Sequence, residues 1–95
     1  MGMVVGVLEV RLAIFEAFSL KDKRRAVKSL KDRLANRHNV SVAEVDNLDS
    51  RQTATLGVAL VANDRRYVQS VLSKIVDEIR AFRRASLLDY GIELF

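Results

Sequence analysis

The sequence predicts an α+β fold, a four-stranded antiparallel sheet with two helices on one face. Three observations carry that expectation. Apolar residues alternate with a period of two in several short segments, and they recur at helical spacing in two longer segments that each open on a capping residue. These segments follow one another as βαββαβ, the order of the ferredoxin-like plait.

The stretch from Met1 to Ile14 reads as a half-buried strand. Val4, Leu8, Val10, Leu12 and Ile14 share one parity, and Glu9 and Arg11 fall on the other. Ser19 then opens a helix as N-cap, with Asp22 three residues later in a capping-box arrangement. Leu20, Val27, Leu30 and Leu34 form its apolar stripe. Asn39 to Asp46 reads as a second strand in which Val40 and Val42 alternate one way and Val45 the other, the mark of a bulge or an edge position. A polar turn at Asn47–Ser50 leads to a third strand, Thr53 to Ala62, with Leu56, Val58 and Leu60 inward. Asn63 and Asp64 cap a second helix with apolar positions Val68, Val71, Leu72, Ile75, Ile79 and Phe82. Its last turn is expected to carry Arg80, Arg83 and Arg84 against the negative pole of the helix. Leu88, Tyr90, Ile92 and Leu94 make the last strand, with Leu87 and Asp89 outward.

Ninety-five residues suffice for one core, and no proline or low-complexity linker interrupts them, so a single domain over residues 1–95 is expected. The absence of cysteine excludes disulfides, thiol nucleophiles and thiolate metal sites. No apolar run approaches the roughly 20 residues of a membrane span, and the first residues lack the basic stretch of a signal peptide. A cytoplasmic protein without membrane association is the expectation.

The charge distribution is the strongest functional signal. From Lys21 to Arg37 there are eight basic and two acidic residues (net +6), leaving eight basic and ten acidic elsewhere (net −2). Cations at a helix start oppose the helix dipole, at a few tenths of a kcal/mol each. Lys21, Arg24, Arg25, Lys28 and Lys31 share one flank at about 100° per residue, and such a row can neutralise successive phosphates. Lys23 falls inside the apolar stripe, and its ammonium is expected to snorkel out at the helix start. The expected phosphate-binding set is Lys21, Lys23, Arg24, Arg25, Lys28 and Lys31; the ordinary alternative is a solvated helix face.

The other constellations are weaker. The outward positions of the third strand, Thr53, Thr55, Gly57, Ala59 and Val61, hold no aromatic on which a base could stack, so an RNA-recognition motif is not expected. That face suits a homodimer or a protein partner, or is simply exposed. Glu44, Asp46 and Asp49 lack the spacing of a cation loop, and Glu44 is better used pairing with a nearby arginine. His38, the only histidine, suits the end of the first helix. Acylphosphatases share this topology, but their phosphate loop carries glycine and arginine where this chain has Phe15-Glu16-Ala17-Phe18. Phe15 and Phe18 are expected to close the core edge or to form a contact surface. No nucleotide or hydrolase motif occurs, so neither a cofactor nor a small-molecule substrate is expected.

Ser19-Leu20-Lys21-Asp22-Lys23-Arg24-Arg25, then Asn39 to Asp46, then Leu56-Gly57-Val58-Ala59 resemble the successive signatures of the YlxP-like family, small bacterial proteins of unknown function. The resemblance spans essentially the whole chain. It implies a ferredoxin-like fold and a gene setting among translation and ribosome-maturation factors, with no established reaction. The chain departs from the family where Arg51-Gln52 replaces a usual Trp-Gln pair. Together these features lead us to expect a non-catalytic accessory factor of translation or ribosome maturation that binds ribosomal or other structured RNA. The alternative is a homodimeric or protein-docking module that uses the sheet face.

Overall fold

The first strand, marked by its alternation, is one of the two interior strands of the sheet. The computed structural model describes residues 2–95; Met1, read as the head of that strand, lies outside the described residues. β1 (Val4–Ile14) pairs antiparallel with β3 (Thr53–Ala62) on one side and β4 (Ala85–Leu94) on the other. β2 (Ser41–Asp46) lies outside β3, giving the order β2-β3-β1-β4. α1 (Leu20–Arg37) and α2 (Arg65–Arg80) complete the βαββαβ order of the ferredoxin-like plait. The even-numbered residues of β1 meet Ala26, Val27, Leu30 and Leu34 of α1 and Val68, Leu72, Ile75, Val76 and Ile79 of α2 in one core. Burying each large aliphatic side chain there contributes roughly 1.5–3 kcal/mol.

Gly6 sets how closely α2 can approach. A Cβ there would sit 2.3 Å from Val68 Cγ1 and 2.9 Å from Leu72 Cδ1, so only glycine lets the helix lie on the strand.

Both irregular strands owe their phase to bulges. In β2 the register passes from Glu44 opposite Leu56 to Asp46 opposite Thr55, so Val45 has no partner and is exposed. The strand is thus both an edge and bulged, as its valines suggested. It starts at Ser41, not Asn39, because the Val40 N–H donates to the His38 carbonyl in a turn. In β4 the register passes from Asp89 opposite Arg11 to Leu87 opposite Leu12. Leu88 is the extra residue and points to solvent, while Leu87 packs on the core. The inward and outward assignments of these two leucines are therefore reversed from the sequence expectation. The strand also begins earlier, at Ala85.

α2 stops at Arg80, sooner than its apolar stripe suggests. Phe82 is buried just beyond it, with the Arg33 guanidinium 5.4 Å above its ring. Arg83 and Arg84 consequently lie in the α2–β4 turn and not on the last turn of the helix. No helix among the described residues is long and apolar enough to cross a membrane.

Candidate functional site

The start of α1 is built by its cap. Ser19 Oγ accepts from the Asp22 N–H at 3.1 Å, and Asp22 Oδ2 accepts from the Phe18 N–H at 3.1 Å. This is the expected capping box with its return bond moved one residue outward. It commits the Asp22 carboxylate to the backbone and holds the β1–α1 loop (residues 15–19) against the helix.

Lys23 is corrected by the structure. Its side chain is fully buried, and its ammonium turns inward instead of snorkelling to solvent. Nζ donates to Glu44 Oε2 at 2.6 Å and to the Asn47 carbonyl at 2.9 Å, with the Leu48 and Thr53 carbonyls each at 3.4 Å. An ammonium has three protons, and four protein oxygens already share them. Lys23 therefore leaves the phosphate-facing set and joins α1 to β2 and the β2–β3 loop. Glu44 finds a lysine as its partner, where an arginine was expected. Asn47, in the left-handed region at φ 60°, completes the joint by accepting from the Thr55 hydroxyl at 2.6 Å. Thr55 is buried at this joint, although it shares the parity of the outward positions of β3.

The other helix cations face out. Lys21, Arg24, Arg25 and Lys28 are exposed and Lys31 is half-buried. Lys28 pairs with Asp32 at 2.6 Å, an exposed contact worth a few tenths of a kcal/mol. Among the described residues, Lys21, Arg24, Arg25 and Lys31 take part in no ion pair. At the far end of α1, His38 Nε2 lies 2.6 Å from Glu78 Oε2 and Arg37 lies 3.4 Å from Glu78 Oε1. The histidine thus docks the helix end on α2.

Tertiary structure adds residues that the linear sequence keeps apart. The ends of three segments meet where β1 stops: the Phe15 N–H donates to the Arg84 carbonyl at 2.9 Å, and the Ile14 N–H to the Gln52 carbonyl at 2.7 Å. Arg51 Nη1 donates to the Phe18 carbonyl at 3.3 Å. A cleft of about 400 Å³ opens beside them, lined by Phe15, Glu16, Asp22, Arg25, Arg83 and Arg84. Three arginines and two acidic residues thus line it, and one of the two carboxylates is committed to the cap. Guanidinium forks match phosphate oxygens in bidentate geometry. Phe15 and Phe18 are 52% and 78% exposed, so they form surface and do not close the core. The sequence contained every one of these residues, but only the turn after Phe82 reveals that Arg83 and Arg84 stand beside Arg25.

The remaining candidates disperse. Asp46 Oδ1 accepts from the Asn47 N–H and Glu44 is held by Lys23, while no group of three His, Asp or Glu side chains converges among the described residues. The open sheet face splits in two. An apolar hollow of about 270 Å³ is lined by Val7, Val42, Ala43, Val45, Gly57 and Ala59. A neighbouring groove of about 320 Å³ carries Glu9, Arg11, Asp89 and Glu93.

Comparison with known proteins identifies the lineage of this geometry. A family model described as "Protein of unknown function (DUF503)" matches residues 5–92. The chain belongs to that family. It is 32% identical over 79 residues to "Uncharacterized protein YlxP" of Bacillus subtilis (strain 168), covering 83% of this chain and 86% of the relative. The YlxP-like resemblance carried by Ser19–Arg25 is thereby established. Among solved structures, the de novo designed protein Foldit4 aligns with a TM-score of 0.58 at 16% identity, over 98% of this chain and 96% of its own. A C-terminal segment of the alpha subunit of aIF2 from Pyrococcus abyssi aligns at 0.53 and 19% identity, over 93% of this chain and 51% of that one. At these identities the likeness is one of fold. Neither the family description nor the relative's name carries a reaction.

Proposed function

We propose that this protein is a non-catalytic, cytoplasmic accessory factor of translation or ribosome maturation. In this reading it binds structured RNA through the outward flank of α1 and the arginine-bearing end beside it. One observation carries the reading: cations from separate segments, Lys21, Arg24 and Arg25 of α1 with Arg83 and Arg84 of the α2–β4 turn, gather at one end and, among the described residues, take part in no ion pair. Such a surface favours polyanions by releasing their counterions. The gene setting implied by the family resemblance supports ribosomal RNA as the polyanion. Support for a non-catalytic role comes from the commitment of titratable groups to structure. His38 is held by Glu78, Glu44 by Lys23, and Asp22 by the cap.

Filter binding to structured RNA across a salt series tests the reading. Affinity should fall steeply with salt, and the quadruple replacement of Lys21, Arg24, Arg25 and Lys28 by alanine should flatten the log–log slope by about one unit for each phosphate no longer neutralised. Unchanged affinity in that variant removes the proposal. A second reading, a protein-docking or homodimeric module, rests on the apolar hollow around Ala59. It requires a dimer in light scattering that Ala59→Arg dissociates, or a protein partner that the same substitution releases.

A further inference from the structure

We infer that the arginine-bearing end takes RNA with unpaired bases, a hairpin loop, bulge or single-stranded end, and not a continuous duplex. The inference rests on the RNA-binding reading and deepens it. Its ground is the placement of two aromatic rings. Single exposed apolar side chains are ordinary. Here, however, the two phenylalanines stand within one short loop and each is fixed beside an arginine. The Phe15 N–H is bonded to the Arg84 carbonyl, and Phe15, half exposed, lines the cleft with Arg25, Arg83 and Arg84. The carbonyl of Phe18, the more exposed of the two, is held by Arg51. Between them Glu16 turns the chain through the left-handed region at φ 54°.

A continuous duplex offers such a surface phosphates and groove edges, but no free base face. Phosphate binding alone would use the guanidiniums and leave both rings in water. An unpaired nucleotide uses both features, its base stacking on a ring while its phosphate meets the arginine forks. Stacking of this kind does not read sequence, because every base has a π-face. The open sheet face has no aromatic on β1 or β3, so base contacts move from the sheet, where RNA-recognition motifs place them, to the end of the plait.

The test compares two labelled RNAs by fluorescence anisotropy at one fixed salt concentration: a stem-loop, and the same stem closed as a blunt duplex. The native protein should bind the stem-loop at least about tenfold more tightly. Phe18→Leu and Phe15→Leu should each remove about fivefold to a hundredfold of stem-loop affinity while leaving duplex affinity and the circular dichroism spectrum unchanged. Phe18 is the safer of the two, since its exposure means that folding depends little on its ring. Equal affinity for the two RNAs, or stem-loop binding that is indifferent to both substitutions, overturns the inference. In that event the RNA-binding reading still stands if the quadruple alanine variant weakens both RNAs. Absence of binding to either RNA overturns both.

Discussion

The two helices begin alike and end in different surroundings. Each opens on a side-chain cap, Ser19 for α1 and Asp64 for α2, and each then places cations in the first turn: Lys21 and Lys23 in one, Arg65 and Arg66 in the other. Both accept the same unfavourable interaction with the helix dipole. Around the start of α1, however, the fold brings up Arg51, Arg83, Arg84 and two exposed phenylalanines. Around the start of α2 it brings up the apolar chain ends near Met3 and Phe95, set there by the pairing of Val4 with Ala62 and of Val5 with Phe95. Cations in a first turn are therefore not in themselves a mark of function. Convergence from separate segments is what distinguishes the two sites.

The helices differ inside as well. α2 buries only aliphatic side chains, whereas α1 buries an ammonium among them. Three sets of substitutions probe how the two helices are held. The largest effect is expected at Lys23. Lys23→Met keeps the stem but leaves Glu44 and three carbonyls without their donor, and breaking a buried pair costs about 3–5 kcal/mol. Glu44 retains slight exposure on an edge strand, which favours the lower end of that range. Adding Glu44→Leu should restore part of the loss. Urea denaturation measures both, and a loss below about 1 kcal/mol in the single variant would show that the buried charge is dispensable.

Next in size is Gly6→Ala, which tests whether α2 is held by close approach as α1 is held by its ion pair. The added methyl meets Val68 and Leu72 well inside contact distance. Overpacking of that kind should cost about 1–3 kcal/mol and lower the midpoint of thermal unfolding, with the far-ultraviolet spectrum unchanged. Unaltered stability would mean that α2 is free to lift off β1.

The smallest effects are expected at the caps. Ser19 holds one N–H, that of Asp22, while Asp64 Oδ1 holds those of Arg66 at 2.9 Å and Tyr67 at 3.4 Å and adds a negative charge at the helix start. Asp64→Ala should cost about 1–2 kcal/mol and Ser19→Ala about 1 or less, measured in the same denaturation series. The reverse order would show that the network around Asp22, not the dipole, governs cap strength in this fold.

What the sequence disclosed follows from the range of the forces involved. The parity of Val4 to Ile14, the cap at Ser19 and the bounds of β3 depend on neighbours a few residues away, and all are legible in the linear chain. The angle of Lys23 within the apolar stripe was equally legible. Its partner was not, because Glu44 lies 21 residues away on another element, and nothing local to α1 says which strand will lie alongside it. Leu87 and Leu88 exchange roles for the same reason, since a bulge is a property of two strands and one of them is remote. The meeting of Arg25 with Arg83 and Arg84 required the early stop of α2 after Arg80, which a periodic stripe running on to Phe82 conceals.

The two bulges also bear on how copies of this chain coexist at high concentration. β2 and β4 are the outer rims of the sheet, and each offers a row of backbone groups to any strand that comes alongside. An extra residue interrupts each row, Val45 on one rim and Leu88 on the other, and carboxylates stand close by at Asp46, Asp89 and Glu93. An approaching strand would lose register at the kink and meet like charge from its own kind. The irregularities that hid the phase of these strands in the sequence thus act as guards against chain-to-chain polymerisation.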